Sequence, residues 1–168
     1  MSAAPLIKPA PMAGDFPRKF LLPGDVYVAK EPTHISTVLG SCVGILLYDA
    51  AAGIGGMNHF LMDGAPGSSD VNPLRYAEPA FETLVARMII AGARERNLVA
   101  KVFGGAQLSP RPTLAHLRIG ERNIAAAREL LREQGITVKA SALGGTVGRK
   151  VIMESHTGNV WVKELRSG

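Results

Sequence analysis

The stretch Ser36-Thr37-Val38-Leu39-Gly40-Ser41-Cys42-Val43-Gly44-Ile45-Leu46-Leu47-Tyr48-Asp49, followed closely by Gly53-Ile54-Gly55-Gly56-Met57-Asn58-His59-Phe60, decides how this chain is read. Residues 43–48 and 54–62 are two apolar runs separated by Asp49-Ala50-Ala51-Ala52-Gly53, a pattern that predicts an antiparallel hairpin. Pairing Tyr48 with Ile54 sets Val43 opposite His59 and Cys42 opposite Phe60. A bulge at Gly55-Gly56 instead moves the register by one and brings Cys42 opposite His59 on the same face. Directly opposed Cβ atoms lie roughly 4.5–5.5 Å apart, close enough for a thiol–imidazole hydrogen bond.

Outward from this hairpin, further short apolar runs at 26–28, 35–39, 98–103, 136–140, 151–153 and 160–162 read as strands, the last two joined through Thr157-Gly158-Asn159 turn chemistry. Two segments carry the helical period instead. Ala77, Ala80, Phe81, Leu84, Val85, Met88 and Ile89 draw one stripe, with Pro79 in the opening turn, where its missing N–H costs nothing. The second helix is expected from about Glu121 to Gln134, with Ile124, Ala127, Leu130 and Leu131 inward and Gly135 as a left-handed terminator. The expectation is an α+β fold, a single domain of about eight mostly antiparallel or mixed strands with two helices packed over the sheets. Residues 1–20, with Pro5, Pro9, Pro11 and Pro17, read as a flexible N-terminal arm, and 21–168 as the domain. The segments 63–74 and 104–119 are longer than connection requires, as binding loops often are.

With 168 residues and 46% hydrophobic content the chain can bury a substantial core. No apolar run approaches the roughly 18 residues of a membrane span, so no membrane insertion is expected. Met1–Pro5 lacks the charged and apolar regions of a secretory signal. One cysteine, Cys42, cannot form an internal disulfide or a multi-thiolate zinc site, which suits the cytoplasm. The net charge of +5 favours acidic partners. The basic residues are scattered, however, and five Phe, three Tyr and one Trp offer little stacking surface, which argues against nucleic acid and for an acidic protein surface.

A thiol is mostly protonated at neutral pH, and a neighbouring imidazole can take its proton and hold the anion as an ion pair. Gly40-Ser41 before Cys42 allows close backbone approach and leaves main-chain N–H groups for an oxyanion. Ser36 and Thr37 on the preceding strand supply hydroxyls to orient His59. The same residues also suit a small core cysteine, a satisfied buried histidine and ordinary turns, so spacing alone leaves function open. A redox-sensing cysteine is a further reading, although the chain has no resolving thiol.

Leu39-Gly40-Ser41-Cys42-Val43-Gly44 with Gly55-Gly56-Met57-Asn58-His59 resembles the signature of the CheD family, the chemoreceptor glutamine deamidases of bacterial chemotaxis. The likeness continues through Arg75-Tyr76-Ala77, residues 100–106, residues 119–124, Gly144-Gly145, Gly148-Arg149-Lys150 and residues 157–160, covering the chain from about 22 to 165. The resemblance implies a cysteine hydrolase related in fold to the deamidating cytotoxic necrotizing factor toxins, with Cys42 as nucleophile and His59 as base, acting as a protein-glutamine glutaminase. The family's third position, usually threonine six residues before the cysteine, falls on Ser36, so either Ser36 or Thr37 orients the histidine. No metal or organic cofactor is implied. The implied partners are the cytoplasmic helical bundle of a chemoreceptor, as substrate, and a CheC-type phosphatase. The alternative is a non-catalytic adaptor that binds either partner. The glycine pairs 104–105 and 144–145 are expected to make tight turns, Arg149 to bind an acidic partner or pair with a carboxylate, and Glu121-Arg122-Asn123 to cap and anchor the second helix.

Overall fold

The apolar run after Cys42 has almost no polar alternation because both of its faces are covered. Successive strand side chains point to opposite faces. Val43, Ile45 and Leu47 pack in one core with the helices, and Leu46 packs in a second core on the other side. A strand sandwiched in this way reads as a nearly continuous apolar stretch.

The computed structural model describes residues 16–69, 71–108 and 118–166. These form β1 (Arg18–Phe20), β2 (Val26–Val28), β3 (His34–Leu39), β4 (Val43–Asp49), β5 (Ile54–Asn58), α1 (Ala77–Ile90), β6 (Leu98–Gly104), α2 (Ile119–Gln134), β7 (Thr137–Leu143), β8 (Gly148–Glu154) and β9 (Val160–Leu165). One sheet runs β1-β3-β8-β9 and the other β2-β5-β4-β6-β7. Only β1–β3 and β6–β7 are parallel among the described pairs. Both helices cover one face of the five-stranded sheet, and the four-stranded sheet covers the other, giving three layers. The fold is α+β, as expected.

The α1 stripe buries Ala77, Ala80, Phe81, Leu84, Val85 and Met88. In α2 the fully covered positions are Gly120, Asn123, Ala127 and Leu131, with Ile124 and Leu130 partly buried against the same core. Gly135 ends α2 at φ 73° as the turn chemistry predicts. Arg18–Phe20, assigned to the arm, instead form β1 alongside β3, and Leu21 N–H continues the contact to Ser36 O at 2.8 Å. Residues 1–15 of the expected arm and 109–117 of the second long segment lie outside the described residues.

The hairpin register departs from both expectations. Asp49 pairs with Ile54, Tyr48 with Gly55, Leu46 with Met57, and Val43 bridges Phe60, without a bulge. The shift is opposite to the one a bulge would cause, and it leaves Cys42 level with Leu61 rather than His59. Gly55 and Gly56 serve close approach of neighbouring backbone instead. A Cβ on Gly55 would stand 2.6 Å from Ser155 O, and one on Gly56 2.8 Å from Tyr27 O.

Candidate active site

Thr37 sits in β3 between Ile35 and Leu39, and all three are fully buried toward the space between the sheets. Its hydroxyl lies 2.8 Å from Leu21 O and 2.7 Å from His59 Nδ1. A hydroxyl has one hydrogen and Leu21 O can only accept, so Thr37 donates to Leu21 O and accepts from Nδ1–H. His59 therefore holds the Nδ1–H tautomer, and Nε2 carries the lone pair. Nε2 is buried and has no hydrogen-bond partner among the described residues. Ser36 points to the other face of β3 by strand alternation, is half-buried, and its side chain makes no hydrogen bond among the described residues. The hydroxyl brought to His59 is that of Thr37, and Ser36 is not brought there.

His59 follows β5 and is anchored through its backbone. Its N–H donates to Asp25 O at 3.1 Å, and its carbonyl accepts from Gly24 N–H at 2.8 Å. The preceding Asn58 accepts from Ile45 N–H through Oδ1 at 2.9 Å, tying this end of β5 to β4. Burial lowers the imidazole pKa to about 4, with the negative charge of Asp25 opposing the shift. The ring is neutral at physiological pH.

Cys42 lies in the turn between β3 and β4. Val43 and Phe60 both face the helix-side core, so their chain neighbours Cys42 and His59 face the space between the sheets together. Cys42 packs against the inter-sheet core. The two side chains share a face but are offset diagonally, a separation that long or ring side chains can span. Burial raises the thiol pKa, while its own backbone N–H and the positive charge of Arg75 offset part of the rise. Both shifts disfavour a resting thiolate–imidazolium pair, contrary to the ion pair expected from proximity alone. Among the described residues, the N–H of Ser41 donates to no protein acceptor, and that of Cys42 turns only toward its own sulfur.

The turn carrying Cys42 is braced from behind. Gly105 N–H donates to Cys42 O at 2.8 Å and Ala106 N–H to Gly40 O at 2.9 Å. Gly104 adopts φ 113°, and a Cβ there would lie 2.2 Å from Cys42 O, so only glycine fits. Arg149 is buried and, among the described residues, forms no ion pair with a carboxylate. Its guanidinium donates to Gly104 O at 2.9 Å and Gly144 O at 2.7 Å. Asn123 makes no helix cap: its Nδ2 donates to Ser41 O at 3.0 Å and Leu61 O at 2.8 Å. Arg122 forms an exposed ion pair with Asp63 at 3.1 Å.

Sequence reasoning missed Arg149 and Asn123 as supports of the site. A usable signal existed for Asn123, a polar residue on the apolar stripe of α2 in register with Ala127. No comparable local signal marks Arg149. Among the described residues, no three His, Cys, Asp or Glu side chains converge as a metal site.

Residues 61–164 match the family model described as CheD chemotactic sensory transduction. A protein of Trichlorobacter lovleyi, named probable chemoreceptor glutamine deamidase CheD, is 48% identical over 141 residues, covering 84% of this chain and 86% of its own. A protein of the same name from Sulfurimonas denitrificans is 39% identical over 152 residues, covering 90% and 97%. A third, from Methanococcus vannielii, is 38% identical over 141 residues, covering 84% and 91%. With a family match over more than half its length and relatives of this similarity along most of the domain, the chain belongs to the CheD family.

Proposed function

We propose that this protein hydrolyses glutamine side-chain amides of chemoreceptors to glutamate, with Cys42 as nucleophile, His59 as base and Thr37 as the group that orients the base. The observation that carries the reading is the imidazole locked by Thr37 with its Nε2 lone pair unpartnered, on the same face as the thiol. Relatives bearing the name chemoreceptor glutamine deamidase support the choice of substrate.

The reaction starts from a neutral pair. Nε2 of His59 accepts the thiol proton as Cys42 sulfur attacks the carboxamide carbon. The carbonyl oxygen becomes an oxyanion, received by the N–H groups of Ser41 and Cys42, which no backbone acceptor occupies among the described residues. Nε2–H then gives its proton to the departing nitrogen. The C–N bond breaks, ammonia leaves and a thioester remains on Cys42. Water, deprotonated by Nε2, attacks the thioester, releasing glutamate and returning the proton to sulfur. Throughout, the Thr37 oxygen accepts from Nδ1–H and steadies the imidazolium when it forms.

The substrate glutamine projects from the cytoplasmic helical bundle of a receptor, and the positive balance of the chain suits an acidic bundle. A cytoplasmic setting, a CheC-type phosphatase as second partner and fold kinship with the cytotoxic necrotizing factor deamidases complete the proposal, each on the strength of the family resemblance. No described helix is long and apolar enough to cross a membrane. Mass spectrometry of receptor fragments incubated with the protein tests the reading. The unit mass gain at glutamine appears with the wild type and disappears with Cys42→Ala and His59→Ala. An active Cys42→Ala variant sinks it.

A further inference from the structure

We propose that Asn123 is a positioning residue for this reaction, holding the turn that carries the nucleophile against the strand that carries the base. The inference rests on the deamidase reading for its catalytic consequence, and on the geometry for the rest. The β4–β5 ladder ends at Val43 and Phe60, which exchange N–H···O bonds of 3.1 and 3.0 Å. Beyond that pair the strands part. Leu61 and Met62 turn their N–H groups to Arg75 O, at 2.8 and 3.2 Å. The carbonyls of Ser41 and Leu61 are left facing a gap with no strand donor between them. Asn123, fully buried, fills it with both hydrogens of one amide nitrogen.

The side chain is costly to keep there. Its stripe position, in line with Ala127 and Leu131, suits an aliphatic residue, and its Oδ1 is buried with no partner. Only a two-donor nitrogen reaching both carbonyls at once replaces the missing rung. Ser41 immediately precedes Cys42, and Leu61 stands two positions after His59. The length of this bridge therefore sets the offset between sulfur and Nε2. A misplacement of about 1 Å at reacting groups costs about a hundredfold in rate.

The test compares Asn123→Leu and the milder Asn123→Ala with Leu131→Ala, a cavity variant of the same helix remote from the Cys42 turn. Deamidation of receptor fragments is followed for kcat and KM, together with melting temperature. The Asn123 variants are expected to lose kcat about tenfold or more with KM within about twofold, while Leu131→Ala loses melting temperature but keeps kcat within about twofold. An Asn123 variant with kcat within about twofold of wild type, or an equal kcat loss in Leu131→Ala, overturns the proposal. A second arm needs no deamidation: the rate at which chloroacetamide alkylates Cys42, with and without His59→Ala. In the wild type His59→Ala slows alkylation, and in the Asn123→Ala background it changes the rate less than about twofold. Equal effects of His59→Ala in both backgrounds, or none in the wild type, overturn the positioning role. An intact coupling with no deamidation by the wild type overturns the proposed activity alone.

Discussion

Thr37 Oγ1 and His59 Nδ1 stand 2.7 Å apart although Thr37 lies in one sheet and His59 directly follows a strand of the other. The contact crosses the inter-sheet core. It sets the histidine tautomer because the threonine hydrogen is already committed to Leu21 O.

Removing that acceptor separates orientation from packing. Thr37→Val keeps the shape but leaves Nδ1–H buried and unpaired, at a cost of about 1–3 kcal/mol. The expected loss in kcat is roughly tenfold to a hundredfold, whereas Thr37→Ser keeps most of the activity and Ser36→Ala stays within about twofold. Steady-state kinetics on receptor fragments decide it. A Ser36→Ala loss exceeding that of Thr37→Val contradicts the assignment.

The opposed shifts of His59 and Cys42 predict a particular pH dependence. kcat/KM holds level through neutrality and falls on the acid side as Nε2 is protonated, with a midpoint near the imidazole pKa of about 4. Iodoacetamide labelling of Cys42 keeps accelerating into alkaline pH, since burial raises the thiol. A labelling rate that already plateaus in acid reveals a resting ion pair and refutes the neutral one.

His59 also makes stability depend on pH. Its folded pKa of about 4 lies below the 6.5 of an exposed imidazole, so between those values the unfolded chain binds a proton that the folded chain does not. Stability contributed by the neutral ring is intact above 6.5 and is lost as pH falls through about 4, amounting to on the order of 3 kcal/mol. Urea unfolding across this window measures the slope, and His59→Gln flattens it.

Gly104→Ala forces a methyl onto Cys42 O at a backbone angle that disfavours side chains. A loss of about 2–4 kcal/mol and a collapse of activity are expected together, because the turn holding Cys42 must move. Calorimetry and kinetics on the same sample check the pair of effects, and a variant of wild-type stability runs against the packing described.

Arg149→Met removes two charge-assisted hydrogen bonds, to the buried Gly104 carbonyl and the half-buried Gly144 carbonyl, and is expected to cost about 3 kcal/mol. Arg149→Lys does not restore it, since one ammonium lacks the fork that reaches Gly104 O and Gly144 O together. Chemical denaturation of both variants reads this out, and full recovery with lysine excludes the bidentate role.

The sequence by itself determined most of the elements and singled out Cys42 and His59 as the side chains to which the proposed chemistry is given. Periodicity alone marks α1 and α2, the glycine after Gln134 marks where α2 stops, and the unbroken apolar run of β4 marks a strand covered on both sides. These signals are local, because the chain's own geometry sets which face a residue takes. Tertiary structure decided the rest. Ser36 and Thr37 are adjacent and chemically alike, and only the packing of β3 against the other sheet selects Thr37. The register that sets Cys42 diagonal to His59 is not carried by the alternation of the run, and the glycine pair serves close approach of the Ser155 and Tyr27 backbone rather than a bulge. Arg149 and Asn123 acquire their roles from carbonyls far away in the chain. A hydrogen bond across layers depends on where two sheets and a helix finally rest, and no short window of sequence encodes that distance.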